Sequence, residues 1–286
     1  MTVPTELPEP ASALARIRDG LATLPGITGI ALGGSRARGV ARPDSDIDVG
    51  LYYAPATRPD FDLILAAAAD LDDQGEPAGH GSYGEWGPWI NGGVWLVVDG
   101  IKTDILLRDQ TRVEKVVRDA AQGMVTTAYQ PGHPHGFVST IYAGEVCHNL
   151  SLYDPQGRLA DLRALVSPYP DVLLEATVNQ FGWEAGFSLD NARSPARRGD
   201  LVQVTGLLYR AVVCLNQMVF AHNGRFVLNE KGALAEASGM PRAPRGYQAR
   251  VEAALTGLSI DPDVLQAAID SLHEIYDELM SWTKNA

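Results

Sequence analysis

The sequence predicts an α+β chain in which an N-terminal mixed β-sheet flanked by helices (1–150) is followed by a C-terminal helical bundle (151–286). Two observations carry this. Within the first 110 residues, short apolar runs recur at Ile27–Leu32, Ile47–Tyr53, Val94–Val98 and Ile101–Leu107, each too short for a helix and bounded by turn residues. From Asp154 onward the apolar residues recur instead at spacings of three and four, interrupted only by prolines, glycines and capping residues.

In chain order, Leu14, Ile17, Leu21 and Leu24 predict an amphipathic helix over 12–24, with Ser12 as its cap, after a proline-rich arm at 1–10. A second helix opens at Pro59-Asp60-Phe61-Asp62 and runs to Leu71, and 72–84 reads as a loop. Gly84 to Gly93 holds Trp86 and Trp89 among glycines and a proline. These indoles either wall a site, stacking on a base or an acceptor, or simply anchor a lid, and the second reading is favoured. Asp99-Gly100 between two apolar runs is a hairpin signal. A helix follows over 109–121, then a loop at Gly132–Gly136 and an apolar stretch from Val138 to Cys147 that contains Glu145. In the bundle, one helix carries Leu173, Val178, Phe181, Trp183 and Phe187, and Ser194–Gly199 reads as a linker. Asp200 caps a long helix ending at Asn223-Gly224, and Asp261-Pro262 caps the last one.

The chemistry concentrates between the first two strands. Gly33-Gly34-Ser35-Arg36-Ala37-Arg38-Gly39 follows an apolar strand and offers backbone N–H groups that no side chain screens, which suits a phosphate. Asp46 and Asp48 come next, two residues apart, on one face of the second strand. Adjacent carboxylates repel, and a hard divalent cation removes the repulsion. Mg²⁺ is commonly held by one or two carboxylates together with substrate phosphates. Asp104 lies within a largely apolar strand, where a bare charge is costly.

Gly34-Ser35, Asp46-x-Asp48 and the later Asp104 resemble the signature of the DNA-polymerase-beta-like nucleotidyltransferase superfamily, aminoglycoside nucleotidyltransferases included; the resemblance covers residues 25 to 110. It implies a catalytic domain over 1–150 that moves NMP, expected to be AMP from ATP, onto a hydroxyl of a small-molecule acceptor such as an aminoglycoside-like antibiotic. It implies two Mg²⁺ ions on Asp46, Asp48 and Asp104, nucleotide contacts from Gly34, Ser35, Arg38 and Lys231, and a general base at Asp104, Glu85 or Glu145. An antitoxin-like transferase that modifies a partner protein is the alternative.

Composition narrows the partners. The net charge is −12, and there is no dense Lys/Arg run beyond Arg36, Arg38 and Arg42 and the cluster from Arg193 to Arg198, which argues against a protein that tracks long nucleic acid. The apolar runs read as too short and interrupted for a membrane span, and the N-terminus lacks the pattern of a secretory signal, so a cytoplasmic protein is expected. Cys147 and Cys214, far apart in apolar settings, read as buried free thiols.

Overall fold

The computed structural model describes residues 7–283 and divides into two compact units. The first runs to Asp119 and resumes over Thr127–Ser167; the second holds Ala120–Thr126 and the chain from Pro168 onward.

The first unit is built on a mixed six-stranded sheet. Its strands are β1 (Ile27–Leu32), β2 (Ile47–Tyr53), β3 (Gly79–Gly81), β4 (Gly93–Val98) and β5 (Ile101–Asp109), with β8 (Leu150–Tyr153) at one edge; a separate hairpin of β6 (Thr127–Gln130) and β7 (His133–Val138) stands apart. The sheet order is β3-β4-β5-β2-β1-β8. The β2–β5 pairing is parallel, and the other pairings in the sheet are antiparallel. The β4–β5 hairpin turns on Asp99 and Gly100, both at positive φ (52° and 76°), as a two-residue primed turn requires.

Alternation along the strands gives the sheet two different faces. Ile30, Leu32, Ile47, Val49, Leu51, Val94, Leu96, Ile105 and Leu107 point to one side, where they are buried with Leu14, Ile17 and Leu21 of α1 (Ala11–Leu21) and Ile64 and Ala68 of α3 (Phe61–Leu71). α1 ends at Leu21, short of the predicted Leu24, because Pro25 and Gly26 (φ +82°) follow, and Pro10, not Ser12, occupies its N-cap. α3 opens where predicted, and the Asp60 carboxylate caps it by accepting from the Asp62 N–H at 3.2 Å. α2 (Gly34–Ala37) is a single turn between β1 and β2, and α4 (Gln110–Ala121) leaves the end of β5.

Residues 122–167 depart most from expectation. The predicted loop at 132–136 lies within β7, α5 (Thr140–His148) follows, and β8 adds to the sheet beside β1. The division therefore falls after Ser167, past the expected boundary at 150, because β8 and α6 (Arg158–Val166) belong to the first unit.

The second unit is helical. α7 (Asp171–Ala196) and α8 (Leu201–His222) are joined by a link so short that they return antiparallel; α9 (Ala233–Ser238), α10 (Tyr247–Thr256) and α11 (Pro262–Thr283) follow. Leu173, Phe181, Leu189, Val204, Leu208, Leu215, Leu265, Ile269, Leu272 and Ile275 form its buried stripes. Trp183 and Phe187, predicted as core, stack on each other at the surface of α7, 66% and 54% exposed. α8 is long and apolar enough to cross a membrane by length and composition, but most of that stretch is buried inside the fold, as in a core helix.

Candidate active site

The second face of the sheet carries the polar residues singled out above. Gly33 directly follows β1, and its N–H donates to the Asp48 carbonyl at 2.8 Å. Asp48 on β2 stands in register with Asp104 on β5, and Asp104 stands in register with Trp95 on β4. Adjacent strands lie about 4.8 Å apart, so Gly33, Asp48, Asp104 and Trp95 form a row across four neighbouring strands.

Gly34 is fixed by two constraints. Its φ is +62°, and a Cβ there would collide with the Asp48 carboxylate. The glycine turn and the carboxylate thus occupy one small space. Ser35 follows on α2, and Ala37 N–H closes that turn on the Gly33 carbonyl at 3.2 Å. Arg38 folds back to the Gly34 carbonyl at 3.4 Å, and its charge reaches Asp48.

Asp46 does not lie on the strand. β2 begins at Ile47, and Asp46 is the exposed last residue of the preceding loop. Arg36 holds it there, donating from Nε to the Asp46 carbonyl at 3.1 Å and from Nη2 to the Ser45 carbonyl at 2.5 Å. Sequence reasoning had assigned Arg36 no such part; an arginine between a phosphate-type turn and an acidic loop was the available signal.

The electrostatics register the crowding of acids. Burial, together with Asp104, Asp46 and Glu145, pushes the Asp48 carboxyl up to about 6, with Arg38 pulling it back. Asp104 is also raised, by burial and then by Asp46, and Lys102 and a hydrogen bond from the Trp95 side chain act the other way. The donor chemistry fits a hard divalent cation: neighbouring in-register carboxylates gain charge balance from one, and Arg38 alone does not restore ordinary acidity. Among the described residues, however, no group of three or more His, Cys, Asp or Glu side chains is gathered closely enough to hold an ion unaided. The fit is therefore to an ion that brings other oxygen ligands, as a substrate triphosphate does.

The two alternative bases have other work. Both Glu145 carboxylate oxygens accept from Arg108 (Nε at 2.9 Å, Nη2 at 2.8 Å), whose side chain is buried on the same face of β5. Tyr142 lies against that guanidinium, its ring centroid 5.4 Å away. Glu85 is exposed, and its carboxylate accepts from the Ser82 N–H at 2.7 Å, closing a turn. Lys231 is an exposed residue of the helical unit, in the turn before α9, where its N–H bonds the Asn229 side chain at 2.9 Å.

The tryptophan loop divides its labour. Trp89 is an anchor, stacked on Phe137 at 5.1 Å and 19°, with Tyr142 and Arg112 against it. Trp86 stacks on Trp95 at 4.7 Å and 17°, beside Asp104 in the row. Gln130 binds the loop from β6, through the Trp86 carbonyl and the Trp89 N–H.

Residues 14–79 match the family described as the nucleotidyltransferase domain, a match that supports the resemblance to the DNA-polymerase-beta-like superfamily over that stretch. Transfer of a nucleoside monophosphate is the general reaction of that class. A nucleotidyltransferase-like protein from Exiguobacterium sibiricum 255-15 is similar in structure, with a TM-score of 0.47 and 10% identity over 93% of this chain and 74% of that one. No curated protein matches the chain in sequence.

Proposed function

We propose that the protein transfers NMP, from ATP in the first instance, to a hydroxyl of a small-molecule acceptor in a Mg²⁺-dependent reaction. The observation that carries this reading is the in-register pair Asp48–Asp104 next to a Gly34 that leaves room only for a hydrogen where Asp48 stands. The N–H groups around Gly34, the Ser35 hydroxyl and Arg38 bind the β- and γ-phosphates; Lys231 is assigned with them on the resemblance alone. Asp46, Asp48 and Asp104 hold the metal. When bound, Mg²⁺ supplies charge neutralisation at the phosphates and acidifies the attacking hydroxyl.

In the transfer, the acceptor oxygen forms a bond to the α-phosphorus and the bond to the β-phosphate oxygen breaks, releasing pyrophosphate. Asp104 accepts the hydroxyl proton. Glu145, committed to Arg108, and Glu85, committed to its turn, are less free for that task. The net charge of −12 favours an acceptor carrying amines over long nucleic acid.

The test is incubation with Mg²⁺ and each of the four NTPs against a panel of aminoglycosides and lincosamides, read by pyrophosphate release and product mass. A nucleotide-sized gain on one compound, lost in Asp48→Ala, is the expected result. A gain on protein instead would favour the antitoxin-like alternative, and transfer that persists in Asp48→Ala would overturn the metal assignment.

A further inference from the structure

We propose that Trp95 is a positioning residue for Asp104: its indole N–H donates to the Asp104 carboxylate and holds it facing Asp48. The importance of holding Asp104 rests on the transferase reading above; the contact itself does not.

Three independent features converge on this indole. The first is register, since Trp95 and Asp104 are directly paired across the antiparallel β4–β5 ladder and so share one face. The second is orientation. A Cβ on Gly79, the β3 partner of Trp95, would meet the indole at Cε3 (2.8 Å) and Cζ3 (3.3 Å), so that edge of the ring lies over β3. Nε1 is diagonally opposite Cε3 in an indole, so the N–H edge is turned the other way, toward β5 and Asp104.

The third is the bed on which the ring rests. Trp86 stacks on Trp95 and itself lies over Gly81 and Gly93, which are paired across β3 and β4; a Cβ at Gly81 would collide with its indole, and one at Gly93 would come within 3.1 Å. Glycines at 79, 81 and 93 weaken strands and are expected only where something approaches closely. Here two stacked indoles take the space at Gly79 and Gly81, while at Gly93 the Ile105 carbonyl stands nearer than the ring. The arrangement also accounts for an indole left 43% exposed on an interior strand of the sheet: its N–H edge must stay on the polar face. A tryptophan N–H in such a place seeks an acceptor, and the Asp104 carboxylate is the acceptor in register. Partners that orient a metal-ligating carboxylate are worth about 10–100-fold in metal affinity.

Trp95→Phe keeps the stacked ring and removes the N–H. The probe is Mn²⁺ titrated into the full chain with a non-transferable α,β-methylene analogue of ATP, followed by calorimetry. Trp95→Phe is expected to bind Mn²⁺ about tenfold more weakly, while Trp89→Phe, at the anchored indole, matches wild type. The second readout needs no ligand: with indole-¹⁵N labelling, the signal that vanishes in Trp95→Phe is expected to shift in Asp104→Asn. Equal Mn²⁺ affinity in Trp95→Phe and wild type, or an indole signal indifferent to Asp104→Asn, overturns the proposal. A wild-type protein that binds no Mn²⁺ with the analogue overturns the transferase reading instead, and the indole signal then decides the contact by itself.

Discussion

Asp48 and Asp104 stand in register across the parallel β2–β5 pair, and the charges of Arg38 and Lys102 offset their crowding only in part. The fold thereby carries an unfavourable charge pair that it would be more stable without. A carboxyl raised to about 6 in the folded protein, against an ordinary 3.8, binds its proton more tightly when folded. Its contribution to stability is full below 3.8 and is lost as pH rises through 6. Asp48→Asn is therefore expected to abolish transfer and to raise the stability of the ligand-free protein above pH 6 by roughly 1–2 kcal/mol after allowance for solvent screening. The gain should shrink toward zero by pH 4. Denaturation at pH 4, 6 and 8 checks both size and sign.

Gly34→Ala places a methyl group where the Asp48 carboxylate stands, in a left-handed backbone conformation. Gly39 is also left-handed, at φ +70°, but a Cβ there meets nothing within 4 Å. Both alanines incur the backbone penalty of about 1–2 kcal/mol. Only Gly34→Ala should also lose ATP binding, measured by equilibrium dialysis with Mg²⁺. Equal ATP affinity in the two variants would remove Gly34 from the phosphate turn.

Glu145 offers a clean separation of a structural acid from a catalytic one. Removing its charge leaves Arg108, only 4% exposed, without its partner. Glu145→Gln is expected to destabilise the protein by about 3 kcal/mol, and the double replacement Arg108→Met/Glu145→Leu to recover most of that loss. A Glu145→Gln protein of unchanged melting temperature but no turnover would return Glu145 to the list of bases.

The helical unit carries its own pH dependence. His222 packs edge-on against Trp282 at 5.3 Å, and burial, with the Arg242 charge, lowers it to about 4. Unfolded chains take up a proton near 6.5 while the folded ring resists, so stability present above 6.5 is lost as pH falls toward 4. His222→Phe should flatten that decline, by about 1 kcal/mol at pH 5 once partial solvent access is allowed for, in thermal melts compared at pH 5 and 7.

Local signals carried much of the fold. The Asp99-Gly100 turn fixed the β4–β5 hairpin and hence the strand position of Asp104, and glycines before an Asp-x-Asp pair marked the site itself. What stayed hidden depends on partners distant in sequence. Arg108 meets Glu145 across 37 residues. Trp95 matters through a neighbouring strand whose glycines, Gly79 and Gly81, resemble loop. β6 and β8 have only four residues each, and β7, though six long, opens with His133, Pro134, His135 and Gly136, which read as loop. Asp46 was placed on the strand by simple alternation, and only the Arg36 contacts reveal a loop residue held by its carbonyl. Trp183 and Phe187 fit a helical stripe numerically, yet lie outside the arc that α7 buries.

The two Arg36 bonds have a bearing on how experiments at this site are interpreted. One guanidinium ties α2 to the acidic loop through the Ser45 and Asp46 carbonyls. A substitution at Arg36 chosen to probe triphosphate contacts would also untie the loop that carries Asp46, and the resulting defect would mimic loss of Asp46 in its proposed metal-binding part. Titrating Mg²⁺ and nucleotide independently in such a variant would tell the two defects apart.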